Sequence, residues 1–225
     1  MSKQFGLQQN IQPKDKFACY LIAGILLAAG FLWLFAGLAE DVLEKETGLF
    51  DQTITAAITM FRSPFMTKLM ELITAMGSLT ITIFLTIIMG GYLLAKKYYY
   101  DAGILIIALS GASILNWMLK LAFHRSRPML GLITASGYSF PSGHAMVSLV
   151  FYGMLIYLLW IRYGRSGRAY LVSFFLALLI FVIGISRIYL GVHYPSDVLA
   201  GFAAGGFWLT GCVTGYQTLR QGRLR

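Results

Sequence analysis

Three short stretches in the second half of the chain gather the residue types that handle a phosphate. Lys120 and Arg127 precede Pro128, Ser142, Gly143 and His144 follow Pro141, and Ser186 and Arg187 precede His193 and Asp197. Lysine and arginine supply cations for the spread charge of a transferring phosphoryl group. A proline near a first helical turn leaves the N–H groups of Ser142, Gly143 and His144 without helical partners, and such a start binds anions, phosphate above all. Gly143 lets an anion approach the backbone closely. Asp197 stands four residues after His193 and is the only carboxylate side chain after Asp101. A carboxylate that takes the Nδ1 proton of an imidazole fixes its tautomer and leaves Nε2 free to attack. Each stretch also has a plainer reading. Lys120 and Arg127 suit snorkelling to headgroups, His144 suits an interfacial helix start, and Asp197 suits a helix dipole.

The elements that carry these stretches are apolar. Of 225 residues, 58% are hydrophobic and only 12% charged, about half the charged share of a soluble domain. The apolar residues fall in long blocks, so one membrane-embedded helical domain over 1–225 is expected. Six blocks approach the length that crosses the hydrocarbon: Phe17–Ala39, Leu72–Ala95, Ala102–Phe123, Ala145–Ile161, Tyr170–Ile185 and Val198–Gly215. The first is too long for the core of a signal peptide and reads as an uncleaved span. Cys19 and Cys212 lie inside apolar blocks and are read as packing residues, with no disulfide.

The net charge of +9 has a membrane explanation rather than a nucleic-acid one. Eleven of the eighteen basic residues sit on alternate connections: Lys3, Lys14 and Lys16; Lys96 and Lys97; Arg162, Arg165 and Arg168; Arg220, Arg223 and Arg225. The positive-inside rule places these in the cytoplasm, with residues 1–16 and both termini inside. Lys45, Arg62 and Lys68 share the first outer loop, residues 40–71, with six acids. Lys120, Arg125, Arg127 and Arg187 fall on the outer side against the rule, and cations misplaced near membrane depth are functional candidates. Within the first loop, Leu49, Phe50, Ile54, Ala57, Ile58 and Phe61 recur at near-helical spacing up to Ser63-Pro64. A short interfacial helix is expected there, either as a connector or as a substrate-facing element.

Sidedness brings the three stretches together. With the N-terminus inside, span three ends outside, span four begins outside, and the fifth-to-sixth connection lies outside. Lys120-x6-Arg127-Pro128, Pro141-Ser142-Gly143-His144 and Ser186-Arg187-x5-His193-x3-Asp197 resemble the three-part signature of the type 2 phosphatidic acid phosphatase family, which also includes vanadium haloperoxidases. The resemblance is strong over residues 102–215, taken as the catalytic core. It implies an all-α bundle of six transmembrane helices with its site at the outer face.

The chemistry and the resemblance imply the same roles. His193 is the nucleophile, Asp197 orients it, and His144 is general acid and then base. Lys120, Arg127, Ser142, Gly143 and Arg187 bind the phosphate. Arg125, Pro141 and Ser186 are accessory candidates, with Arg125 near the phosphate entrance. Acids are too scarce for a two-metal centre, so no metal or other cofactor is expected. The expected partners are the bilayer and a lipid phosphate or diphosphate, such as phosphatidylglycerol phosphate, undecaprenyl diphosphate or phosphatidic acid. No nucleic acid and no obligate protein partner is implied. The alternatives are a soluble haloperoxidase, which the apolar composition disfavours, and a non-catalytic lipid-phosphate-binding or transport protein of the same fold. A non-catalytic protein would be expected to lose His144 or His193.

Overall fold

The computed structural model describes residues 13–129, 131–164 and 166–222, with side chains described over 18–221. Eight helices follow in chain order: α1 Pro13–Leu43, α2 Gly48–Thr59, α3 Pro64–Met76, α4 Leu79–Ala95, α5 Tyr99–Phe123, α6 Gly143–Tyr163, α7 Gly167–Tyr189 and α8 Pro195–Gly222. No strand occurs among the described residues. Of the cations used to assign sides, Lys3, Arg165, Arg223 and Arg225 lie outside the described residues, as do the side chains of Lys14 and Lys16.

Helix α6 is the centre of the bundle. It packs against α5, α7 and α8, and α1 lies along α8. Met146, Val150, Phe151 and Met154 of α6 are buried with Leu105, Ala108 and Ala112 of α5 and Ile183 of α7. Trp33, Ile87, Ile107, Phe174 and Phe181 point outward and are more than half exposed. Apolar residues on the outer surface of a helical bundle are suited to acyl chains, which are as apolar as the core itself.

Five helices are long and apolar enough to cross a membrane, and α3 and α4 together make a bent sixth candidate. The expected second span, Leu72–Ala95, is therefore not one straight helix. The chain breaks at Gly77 and Ser78, with a 50° bend. Ser78 caps α4 by accepting from the Ile81 N–H at 3.3 Å. A serine side chain that satisfies a free first-turn donor stabilises a new helix start. A side chain at Gly77 would meet Ile183 Cγ2 at 2.5 Å and His144 Cδ2 at 3.5 Å, so the break lies against both α7 and the His144 ring.

The expected helix of the first loop is α2. Ser63 and Pro64 end that stretch and start α3, with Ser63 Oγ accepting from Met66 N–H at 3.2 Å. Arg62 donates to the Tyr189 carbonyl at 2.8 and 3.1 Å, and Ser63 N–H donates to the Tyr189 hydroxyl at 3.1 Å. The loop is thus docked onto the end of α7.

Candidate active site

The third stretch hangs on the end of α7. After Tyr189 the chain turns through Gly191, whose φ of +71° is open to glycine at no steric cost. The N–H groups of Val192 and His193 both donate to the Arg187 carbonyl, at 3.2 and 3.3 Å. Pro195 then opens α8. His193 and Asp197 are both buried, Asp197 completely. His193 Nδ1 lies 3.3 Å from Asp197 Oδ2, which also accepts from the Tyr194 N–H at 3.0 Å. On the other side of the ring, Arg127 Nη1 lies 3.0 Å from Nε2. A guanidinium only donates, so Nε2 accepts and the ring proton sits on Nδ1, facing Asp197. Burial holds the His193 imidazole at about 4, against the opposing pull of Asp197. It is neutral at pH 7.

The first stretch leaves helix α5 before Arg127. Helix α5 ends at Phe123, and His124 turns left-handed with φ +49°. Lys120 is therefore on the helix and Arg127 in the connector. They meet by folding back. Lys120 Nζ donates to the Tyr138 carbonyl at 2.5 Å. Arg127 donates to the carbonyls of Gly137, Val192, Ser136 and Tyr138 at 2.8–3.2 Å. The α5–α6 connector is wrapped around the guanidinium.

The second stretch is tied to the third through the backbone. Ser142 N–H donates to the Asp197 carbonyl at 2.9 Å, so this N–H is not one of the free donors expected from the sequence. Helices α6 and α8 come this close because position 201 is glycine: a Cβ there would stand 2.6 Å from the Ser142 carbonyl oxygen. Gly143 likewise faces a protein group. A Cβ on it would meet Asn116 Oδ1 at 2.8 Å, and Asn116 Nδ2 donates to the Pro141 carbonyl at 3.3 Å. The missing side chain of Gly143 thus makes room for Asn116. Pro141 is buried and follows a cis peptide bond. Ser142 Oγ is buried with no hydrogen-bond partner. His144, in the first turn of α6, is close enough to Arg187, His193, Arg127 and Lys120 to feel their charges.

Two accessory candidates, Ser186 and Arg125, are bonded to protein groups. Ser186 Oγ donates to the Ile183 carbonyl of its own helix at 2.6 Å and is fully buried. Arg125 does not line a phosphate entrance. It reaches behind Asp197, donating from Nη1 to Asp197 Oδ1 at 2.6 Å and Ser196 Oγ at 2.8 Å. From Nη2 it donates to Asp51 Oδ2 at 2.8 Å and Thr47 Oγ1 at 3.0 Å. Asp51 in turn accepts from the Ser196 N–H at 2.9 Å and hydroxyl at 2.8 Å.

Three residues of the cluster are not visible in the sequence. Asp51, on α2, is one of six acids in its loop and nothing in the pattern separates it from the others. Thr74, on α3, accepts from Arg187 Nη1 at 2.7 Å. Asn116 is a lone amide inside an apolar span, and a polar side chain at membrane depth is the one available signal. With Asp51 in place, Asp197 is not the only acid at this end of the bundle. Even so, among the described residues no group of three or more His, Cys, Asp or Glu side chains is placed to hold a metal ion.

A cavity of about 780 Å³ opens at the opposite end, between Lys96, Tyr98, Ile104, Arg162 and Arg220. Its one carboxylate, Asp101, is tied to Arg162 and Tyr216, and neither histidine of the cluster lines it.

The apolar helical bundle thus brings two histidines, a carboxylate and three cations together at one end. The chain belongs to the PAP2 superfamily, which it matches over residues 101–221. It is 32% identical over 181 residues to phosphatidylglycerophosphatase B of Bacillus subtilis, covering 78% of this chain and 85% of that protein. It is 31% identical to lipid A 1-phosphatase of Rhizobium etli, covering 71% of this chain and 74% of that one. The crystal structure of the transmembrane PAP2-type phosphatidylglycerolphosphate phosphatase from Bacillus subtilis superposes with a TM-score of 0.79 at 28% identity, over 86% of this chain and 96% of that one. The chain is a multi-pass membrane protein and a hydrolase of the lipid phosphatase class.

Proposed function

We propose that the chain hydrolyses a lipid phosphate or diphosphate through a phosphohistidine on His193. The observation that carries this is the position of the His193 ring: Nδ1 faces Asp197 and Nε2 faces the Arg127 guanidinium. Arg127 marks where a phosphate would sit, within reach of the nitrogen that attacks it. Arg187 Nε and Ser142 Oγ, buried without partners, are the further donors that a phosphoryl oxygen would satisfy, because buried polar groups normally have one. Lys120 and the Gly143 N–H complete the set.

In the first step Nε2 forms the P–N bond as the bond to the ester oxygen breaks. The leaving oxygen takes a proton from His144, which enters this step as the imidazolium and leaves it neutral. In the second step water attacks phosphorus, His144 accepts its proton, and the P–N bond breaks to release inorganic phosphate and neutral His193. Asp197 keeps the Nδ1 proton in place throughout.

The reading extends to topology. The whole chain is one membrane-embedded phosphatase domain, with residues 102–215 as its catalytic core. Six spans, the bent α3–α4 pair counted as one, put both termini in the cytoplasm and the site at the outer face, where a lipid enters with its tail in the bilayer. The mechanism is metal-independent, with its chemistry assigned to His193, His144 and the cations. Relatives named as phosphatidylglycerophosphatase B, lipid A 1-phosphatase and putative undecaprenyl-diphosphatase support a phosphate or diphosphate carried on a lipid. Phosphate release by purified protein over a panel of phosphatidylglycerol phosphate, phosphatidic acid and undecaprenyl diphosphate tests this, with His193→Ala as the control. Equal release by both proteins would overturn it.

A further inference from the structure

We infer that Asp51 and Arg125 form a charge-balanced clamp behind Asp197 that keeps its carboxylate turned to His193, making the first-loop helix a working part of the active site. The inference rests on the proposed role of His193. Arg125 is the only cation bonded to Asp197 among the described residues, and its other amino group is bonded to Asp51. Asp51 is 3% exposed and Asp197 is fully buried, so the three charges sit in a poorly solvated region where each is felt strongly. Asp51 also holds Ser196 through both its N–H and its hydroxyl, which fixes the first turn of α8 one residue before Asp197. The Tyr194 ring closes the face of the Arg125 guanidinium, 4.3 Å from its centroid. Arg125 touches none of the groups proposed to bind phosphate. It is a positioning residue, and so is Asp51.

The clamp has an electrical consequence with a defined sign. The charged and titratable groups facing His193 are Asp197 from α8, Arg127 from the α5–α6 connector, Arg187 from α7 and His144 from α6. Lys120 from α5 also acts on Asp197, and Arg62 from the α2–α3 turn holds the Tyr189 carbonyl nearby. Arg125 offsets part of the Asp197 charge, and Asp51 offsets part of the Arg125 charge. Removing Arg125 makes the ring easier to protonate. Removing Asp51 alone makes it harder, because the whole Arg125 charge then bears on Asp197. A part that merely held the loop in place would behave differently. Loosening it in either variant lets water in, and relief of burial moves His193 upward in both cases.

The chain has three histidines, so ¹⁵N-histidine labelling of the purified protein in detergent resolves each ring, assigned by single His→Gln variants. The titration midpoint of His193 is followed in wild type, Arg125→Met and Asp51→Asn. The clamp predicts a rise in Arg125→Met and a fall in Asp51→Asn. It also predicts a kcat loss of about tenfold or more in Arg125→Met with KM changed by less than about threefold, the signature of lost transition-state positioning. Upward shifts in both variants, or no shift in either, would overturn the clamp. Thermal unfolding and the unchanged resonance of the exposed His124 show whether each variant is folded. If one is not, Arg125→Lys, which keeps the cation, takes its place and must hold the wild-type midpoint within about half a unit for the clamp to stand. The NMR readout needs no turnover. A chain that proved inactive on lipid phosphates would therefore fail the functional reading, while the His193 shifts would still decide the clamp.

Discussion

Arg127 Nη1 donates to His193 Nε2 across 3.0 Å, so the cation and the nitrogen proposed to attack are in contact before substrate arrives. A phosphate entering the site must take over the Arg127 contact as it meets Nε2. Removal of this cation should therefore be felt in the transition state. Arg127→Ala is expected to lower kcat/KM about 10²–10³-fold, the size of one lost oxyanion donor. Steady-state kinetics on a soluble short-chain lipid phosphate check this, and an unchanged kcat/KM would remove Arg127 from the site.

The buried His193 sets the acid side of the rate profile. Its midpoint in the folded protein is about 4, below the ordinary imidazole value, and burial is the main cause. The ring is neutral and competent above that pH and takes up a proton as pH falls through it. Thus kcat/KM should hold between about pH 6.5 and 5 and fall around pH 4. Stability follows the same sign: the unfolded chain protonates this ring first, so its contribution is full above about 6.5 and declines as pH falls toward 4. A rate that already halves at about pH 6.5, the ordinary imidazole value, would show that the ring is not held neutral.

Asp197→Asn should cost rate more than stability. The carboxylate accepts from His193, Tyr194 and Arg125, and an asparagine keeps the shape while losing the charge that fixes the ring tautomer. A fall in kcat of about 10²–10⁴-fold is expected, by analogy with other histidine–carboxylate pairs. Arg125 retains Asp51 as a counter-ion, so thermal unfolding in detergent should move by only a few degrees. A rate within about twofold of wild type, roughly 0.4 kcal/mol, would sink the orienting role.

Gly201→Ala tests the packing that joins the second and third stretches. The new Cβ would lie 2.6 Å from a backbone oxygen, Ser142 O, and a backbone atom has no rotamer with which to retreat. We expect a loss of about 1–3 kcal/mol, read as a lower unfolding temperature, together with lower activity as Ser142 and Asp197 separate. Wild-type unfolding would show that the two helices are not in contact there.

Chelation provides a test of the metal-independent reading. Activity is expected to survive excess EDTA, because the chemistry is assigned to His193, His144 and the cations alone. Full loss in chelator, restored by magnesium, would contradict it.

What the sequence carries is the local chemistry of helix ends. Pro195 at the start of α8, the break at Ser63-Pro64 and the apolar blocks all appear where residue types dictate them. Contacts between distant segments are not legible in it. Asp51 and Asp197 are 146 positions apart by their numbering, and only the folded bundle makes them neighbours through Arg125. The end of α5 is also hidden. Pro128 suggests that the chain leaves the helix near Arg127, but nothing local shows that His124 turns left-handed or that the connector then folds back over Lys120 and Arg127. Thr74 and the break at Gly77 escape for a related reason: an apolar run reads the same whether it is one straight span or two helices meeting at the site.

The central claim is that phosphorus passes through His193. Its most direct test is the stereochemical course of hydrolysis with a lipid phosphate made chiral at phosphorus by oxygen isotopes. Each in-line displacement inverts phosphorus, so attack by His193 followed by attack of water predicts overall retention of configuration. Overall inversion would mean that water attacks the substrate directly, and the phosphohistidine assigned to His193 would be wrong.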